Sequence, residues 1–297
     1  MTPRSIRTPV LDIGFLESGP ALGPTVILLH GWPSDIHDYD DVAPPLAEAG
    51  FRVLVPWLRG FGSTHFLNAG IPRSGQQAAL GADLRDFIDA LSIKAAILVG
   101  YDWGGRAACV TAALWPERVN ALVAITGYGI QDIVGAAHPG PAEQEYRHWY
   151  QWYFHTNRGR SGLTENRAGI ARLLWHLWSP NWAFDDATFK TTAASFDNRD
   201  FVGVTIQSYR HRYGNAPGDP AYDVLEAALA KQPPIGVPTI VLHGEADGVG
   251  PPAGSIPRDR LFTGPMERRL IPRAGHFLPR ENPQDVVAAV KRLAVVD

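Results

Sequence analysis

Cysteine and methionine are nearly absent from this chain of 297 residues, which holds one and two of them respectively. With Cys109 alone no intrachain disulfide can form, and a thiolate metal cluster is excluded. An excess of charge of one sign is lacking too: 27 Lys and Arg stand against 30 Asp and Glu, a net charge of -3, and charged residues are only 19% of the chain. Such a balance offers no basic surface for neutralising phosphates, so nucleic acid is not expected as a partner. No apolar run is long enough for a membrane-spanning helix, and "MTPRSIRTPVLDIGF" lacks the hydrophobic stretch of a signal peptide. A soluble, cytoplasmic protein is therefore expected. There is no internal repeat and no low-complexity tract. Apolar surface is what the chain has: hydrophobic residues are 45% and tryptophans number nine, enough for a sizeable core with aromatic surface left to line a pocket.

Six short β-branched or leucine-rich runs, each bounded by Gly, Pro or Asp, read as buried parallel strands. They are "TVILLHG" (25–31), "RVLVPWL" (52–58), "AAILVGY" (95–101), "ALVAITG" (121–127), "TIVLHG" (239–244) and "ERRLIPR" (267–273). Helical patterns alternate with them: "DDVAPPLAEAG", closed by Gly50, then "GADLRDFIDAL", and "ENPQDVVAAVKRLAVV" at the end of the chain. This rhythm predicts a mostly parallel, doubly wound α/β sheet. It stops between residues 133 and 232, a stretch with Trp149, Trp152, Trp175, Trp178 and Trp182 and the helical patterns "GIARLLWHLW" and "AYDVLEAALAK". Within it "HTNRGRSG" (155–162) reads as a solvated, flexible loop, and "QPPIGVP" as a proline-rich hinge that leads back to the sheet. The expected organisation is a core of residues 1–132 and 233–297, with a helical cap, 133–232, over the carboxyl ends of the strands.

Chemistry concentrates at those ends. In "ILVGYDWGGRAACV" a strand stops at a glycine-rich turn and a helix begins, a geometry that presents one side chain, and that side chain is Asp102. A helix N-terminus keeps such a carboxylate ionised. An isolated Asp before a helix usually does no more than cap it, but Asp102 is not isolated. "TIVLHG" is followed by "EADGVG" with Asp247, and "ERRLIPR" by "AGHFLPRENP" with His276. Nucleophile, acid and histidine in this chain order is the order of hydrolases built on such a sheet. "LLHGWPSD" places His30, Gly31, Trp32 and Pro33 in a turn after an early strand, where the Trp32 backbone N–H, with that of Trp103, would form an oxyanion hole.

Together "HGWP", "GYDWGG", "HGEAD" and "AGHFLP" resemble the α/β-hydrolase fold epoxide hydrolases and their relatives, the haloalkane and haloacetate dehalogenases, over about residues 9–132 and 236–297. These families use an aspartate nucleophile. A carboxylate attacks saturated carbon and leaves an alkyl ester on itself, here on Asp102. Water activated by His276, which Asp247 orients and charges, would hydrolyse that ester. The resemblance further implies two tyrosines as donors to an epoxide oxygen, Tyr150 in "HWYQWYFH" and Tyr209 in "QSYRHRYG". Tyr146, Tyr153 and Tyr213 are rivals for these roles, and Tyr213 joins Trp103, His148 and Trp149 as a substrate-binding candidate.

Shifting the register of the same segment by one residue makes His148 and Trp149 resemble the halide-binding pair of haloacetate dehalogenases. Those enzymes place arginines one and four residues after the nucleophile and take their acid from the end of the next strand. Here the matching residues are Trp103, Arg106 and Thr126, so only part of that pattern is present. A ligand-binding protein of the same fold is a third reading, opposed by the complete Asp102, His276 and Asp247 set. The expected partners are an apolar or aromatic epoxide and water, with a homodimer left open. The mechanism needs no cofactor, and the histidines show no metal-site spacing.

Overall fold

The computed structural model describes residues 2–295. Nine strands form one sheet: β1 (Thr2–Arg7), β2 (Leu11–Ser18), β3 (Thr25–Leu29), β4 (Arg52–Pro56), β5 (His65–Phe66), β6 (Ala96–Gly100), β7 (Val119–Ile125), β8 (Thr239–Gly244) and β9 (Met266–Ile271). The order is β1-β2-β4-β3-β6-β7-β8-β9, with β5 on β2. From β4 to β9 every pairing is parallel, whereas β1, β2 and β5 join antiparallel. All six expected strands are present, and five are buried along nearly their whole length. The sixth differs: β9 is an edge strand and buries only Ile271, leaving Glu267 and Leu270 exposed and Arg268 and Arg269 half-buried.

Helices α1 (Ala43–Glu48), α2 (Gln77–Ala90) and α3 (Asp102–Leu114) connect the first strands. Six more lie between β7 and β8: α4 (Ala142–Arg147), α5 (Trp149–His155), α6 (Asn157–Trp178), α7 (Asp186–Ala193), α8 (Phe201–Arg212) and α9 (Asp223–Leu229). After β8 come α10 (Pro252–Ser255), α11 (Leu278–Glu281) and α12 (Pro283–Leu293). No helix among the described residues is long and apolar enough to cross a membrane.

The stretch expected as a flexible loop, 155–162, is instead the end of α5, the cap Thr156 and the start of α6. Thr156 caps it by accepting a 2.9 Å hydrogen bond from the Gly159 N–H. Gly159 is there for close approach rather than flexibility: a Cβ would lie 1.7 Å from the Tyr153 carbonyl oxygen. The expected hinge is likewise fixed, since Ile235 exchanges hydrogen bonds of 2.8 and 2.9 Å with Leu261 and Thr263.

The helical segment is tied to the sheet by tryptophans and backbone bonds. Trp32 Nε1 donates to Thr205 Oγ1 at 3.0 Å and Trp175 Nε1 to the Pro33 carbonyl at 2.8 Å. The Trp178 carbonyl accepts from Gly248 N at 3.0 Å and His276 N at 3.1 Å, residues that lie just past the ends of β8 and β9.

Candidate active site

Sheet register brings the candidate residues together. The chain winds from β3 outward to β4 and returns on the other side as β6, so β3 and β6 are neighbours where the winding reverses and a crevice opens. Leu29 pairs with Gly100, which puts the turns that follow, His30–Pro33 and Tyr101–Trp103, side by side. The Trp32 N–H donates to Asp102 Oδ1 at 2.8 Å. Farther along, Gly244 pairs with Ile271, and the loops beyond them carry Asp247 and His276 back toward the same point.

Asp102 holds a left-handed backbone, φ 49°, which costs an L-residue energy and is kept only where surrounding packing enforces it. The enforcement is visible at Gly104, where a Cβ would lie 2.1 Å from the Leu29 carbonyl oxygen. The first turn of α3 thus presses against the end of β3, and any side chain at 104 would push the nucleophile away. Asp102 itself opens α3, where the helix dipole favours its negative charge.

His276 Nδ1 lies 2.8 Å from Asp247 Oδ2, while Asp247 Oδ1 accepts from the Val249 and Gly250 N–H groups at 2.9 and 2.8 Å. A carboxylate can only accept, so Nδ1 carries the proton and neutral His276 has its lone pair on Nε2. That Nε2 is buried, has no hydrogen-bond partner among the described residues, and lies 3.9 Å from Asp102 Oδ2. Burial alone would depress the His276 pKa; the charge and hydrogen bond of Asp247, and then Asp102, outweigh it and raise it. For Asp247 burial acts upward, and His276 with the Gly250 N–H holds the carboxyl below its usual range.

Tyr150 and Tyr209 are both buried, and their rings pack on Trp32 with centroids 5.6 and 5.2 Å away. Burial above all, with a contribution from the Asp102 charge, pushes both hydroxyls well above the ordinary tyrosine range. They are therefore neutral donors at any working pH. The Tyr150 oxygen accepts from Gln151 Nε2 at 2.9 Å, and Gln151 Oε1 in turn accepts from Arg212 Nη1 at 3.2 Å and the Tyr213 hydroxyl at 2.9 Å.

The remaining candidates separate. Tyr146 is 78% exposed. Tyr153 is half-buried against Trp149, with ring centroids 6.1 Å apart. Tyr213 is engaged with Gln151, packs on Trp152 and lines a hollow other than the Asp102 cleft. Trp149 faces a separate hollow with Tyr146, Leu177 and Trp178. His148 does line the cleft of about 630 Å³ that contains Asp102, Arg106, Thr126, Asp247 and His276, and burial pulls its pKa down to about 4. Trp103 is fully buried beside Tyr209, and its indole Nε1 has no partner.

Two residues outside the candidates named from the sequence support the site, one of them, His243, inside the motif "HGEAD". His243 Nε2 donates to the Gly250 carbonyl at 2.7 Å and lies 3.8 Å from Asp247 Oδ2, steadying the acid from behind. Glu281 holds the histidine loop, accepting from Gly275 N at 2.8 Å and from Ser179 Oγ at 2.6 Å. Among the described residues no group of His, Cys, Asp and Glu is arranged to hold a metal ion.

A winding reversal, a strained acidic turn and a buried Asp–His pair at successive strand ends define a hydrolase of the α/β class. Residues 24–283 match the model of the alpha/beta hydrolase fold, and the chain belongs to that family. A crystal structure from Klebsiella pneumoniae, of a protein whose epoxide hydrolase name is itself provisional, superposes with a TM-score of 0.95 at 46% identity, covering 98% of this chain and 97% of that one. Epoxide hydrolase A of Mycobacterium tuberculosis is 25% identical across 97% of this chain and 96% of its own length. Two further relatives match in part. Bifunctional epoxide hydrolase 2 of Sus scrofa is 32% identical over 39% of this chain but only 20% of its own length. A haloalkane dehalogenase of Mycobacterium marinum is 32% identical over 41% of this chain and 40% of its own.

Proposed function

We propose that this protein is an epoxide hydrolase that opens a small epoxide to a vicinal diol through an alkyl ester on Asp102. The observation that carries the proposal is the pair of buried, neutral phenols, Tyr150 and Tyr209, beside an aspartate nucleophile served by a free histidine nitrogen.

In the first half-reaction an Asp102 oxygen attacks a ring carbon. The C–O bond breaks, its electron pair goes to the ring oxygen, and that oxygen takes a proton from a tyrosine hydroxyl. The Gln151 amide donated to Tyr150 oxygen stabilises the phenolate that forms, so Gln151 is a positioning residue for this step. In the second half-reaction His276 Nε2 removes a proton from water, whose oxygen attacks the Asp102 carbonyl carbon. Negative charge on the Asp102 oxygen falls where the Trp32 N–H already donates at 2.8 Å, with the Trp103 N–H as the second donor. Collapse expels the product oxygen, which takes the proton left on the Asp102 carboxyl by the added water; the His276 proton returns to the tyrosinate, and Asp102, ionised again, keeps one oxygen from water. Residues 133–232 serve as the cap that supplies the tyrosines and shields the ester.

One observation favours a second reading, displacement of a halide. The Trp103 indole N–H is buried beside the nucleophile without a partner, and an indole is a weak donor suited to a departing halide. Turnover separates the readings. Purified protein offered epoxides, haloalkanes and haloacetates should release diol, and Asp102→Asn should not. Halide release without diol would establish the second reading; neither product would leave a ligand-binding protein.

A further inference from the structure

Several arginines of the helical segment have their charge answered. Arg172 pairs with Asp186, Arg147 Nη1 donates to the Gly248 carbonyl at 2.8 Å, and Arg210 Nε donates to the Phe154 carbonyl at 3.0 Å. Arg212, the last residue of α8, differs. Its Nε and Nη2 are buried without a hydrogen-bond partner, and it forms no ion pair among the described residues. What it touches instead is the machinery of the two phenols. Its guanidinium lies 4.6 Å from the centre of the Tyr209 ring, and its Nη1 donates to Gln151 Oε1 at 3.2 Å. Gln151, itself buried, passes the contact on, its Nε2 donating to the Tyr150 oxygen at 2.9 Å.

The direction of that chain is forced. A guanidinium has donors only, and the Tyr213 hydroxyl reaches the same Oε1 at 2.9 Å, so the amide oxygen faces Arg212 and the amide N–H faces Tyr150. The Tyr150 oxygen is the acceptor in its bond with Gln151, and its own proton stays available for a substrate oxygen. When that proton leaves, the O–H electron pair stays behind as negative charge on the oxygen that Gln151 already holds. A partly buried cation with no anion beside it is costly in the resting protein. Ring opening would supply the missing anion. The charges around the phenols agree with this: burial raises the Tyr150 hydroxyl and Asp102 adds to the rise, while the charge of Arg212 is the main force against it. At Tyr209 burial, Tyr150 and Asp102 act upward, and Arg212 and then Arg106 act downward.

We propose that Arg212 is the counter-charge for the tyrosinate formed when the epoxide opens, acting on Tyr150 through the Gln151 amide and on Tyr209 across its ring face. The inference rests on the epoxide hydrolase reading and adds to it the source of the acidity that ring opening needs. Arg212 does not line the cleft that holds Asp102, so it is a positioning residue that works through its neighbours and not on the substrate. It also divides the two leaving groups. An epoxide oxygen needs a proton and leaves a phenolate behind, whereas a halide departs without one and gains nothing from Arg212.

A spectroscopic reporter tests the charge without any turnover. A polyfluorinated tyrosine ionises near neutral pH, and its phenolate absorbs at longer wavelength than the phenol, so placed at position 150 of the full chain it can be titrated directly. Arg212→Met should raise its ionisation midpoint by about one pH unit or more, a tenfold loss of phenolate stability and the low end of what an opposite charge does to a nearby acid. Arg212→Lys should keep most of the effect. Arg212→Gln, which can still donate to Gln151 but carries no charge, should behave like Arg212→Met; Lys against Gln carries the comparison if the Met variant does not fold. With native Tyr150, formation of the Asp102 adduct from an epoxide should slow by up to about tenfold in the uncharged variants, while hydrolysis of the ester is unchanged. A reporter that does not move, a Gln variant that matches the unsubstituted protein, or equal slowing of both half-reactions overturns the counter-charge. A reporter that moves as expected in a protein that opens no epoxide would leave the charge coupling standing and remove the epoxide hydrolase reading.

Discussion

Replacing His276 by Gln should stop the reaction halfway. Asp102 keeps what it needs for attack: its place at the head of α3, its backbone enforced by Gly104, and the 2.8 Å bond from Trp32 N–H. Lost is the lone pair of Nε2, 3.9 Å from Asp102 Oδ2, the only unengaged base facing the ester among the described residues. Asp247 retains its bonds from Val249 and Gly250, and a glutamine amide can replace the imidazole N–H, so the loop should hold. A positioned general base contributes about 10²- to 10⁴-fold to a rate, or roughly 3–5 kcal/mol of barrier. If the two half-reactions run at similar speed in the native protein, even a hydrolysis slowed about 10²-fold leaves about 99 of every 100 molecules esterified at steady state. Mixing with an epoxide substrate and recording the intact mass should show a gain equal to one epoxide, localised by peptide mapping to Asp102. Continued turnover by His276→Gln with no adduct would refute the division of labour between Asp102 and His276.

The other expectations concern the donors, the pH profile and the core. Tyr209→Phe should slow adduct formation, by about 10²-fold or more where a proton donor is lost, while the hydrolysis of preformed ester is little changed; equal losses in both steps would show that Tyr209 only packs. Because Asp247 raises the His276 pKa above its ordinary 6.5, ester hydrolysis should fall as pH drops through a value above 6.5. Asp247→Asn should move that acid limb of ester hydrolysis downward. The stability effect runs the opposite way: the raised His276 pKa contributes to folding below its unfolded value, and that contribution is lost as pH rises through the folded one. Far from the site, Arg59 is fully buried with both Asp83 oxygens at 2.6 Å, so Asp83→Ala should cost about 3–5 kcal/mol, read as a lower urea midpoint at unchanged slope.

Burial governs how much of the fold is legible in the sequence. β3, β4, β6, β7 and β8 are continuous apolar runs because both faces of the sheet are covered there, and such runs stand out. β1, "TPRSIR", is almost wholly exposed and gains its conformation only from pairing with β2, so nothing local announces it. Residues 155–162 mislead in a different way: Gly and Ser there suggest a loop, but Gly159 serves the tight approach of α6 to α5. At the site, Asp102, Asp247 and His276 are legible because each ends a recognisable strand, and strand order converts that into proximity. Tyr150 and Tyr209 are legible only through resemblance, and their burial beside Trp32 separates them from the exposed Tyr146. Gln151 and Arg212 carry no comparable signal, and His243, although it opens "HGEAD", shows its role only through its contacts. Their parts depend on contacts such as Gln151 with Arg212, 61 residues apart, which no periodicity encodes.

The central claim is that water never attacks the substrate, only the Asp102 ester. A single turnover in water enriched in heavy oxygen, with protein in excess over epoxide, tests this directly. The account predicts diol free of the label and one heavy oxygen in the peptide that contains Asp102. Labelled diol with unlabelled Asp102 would mean direct attack by water, and the covalent mechanism would be wrong.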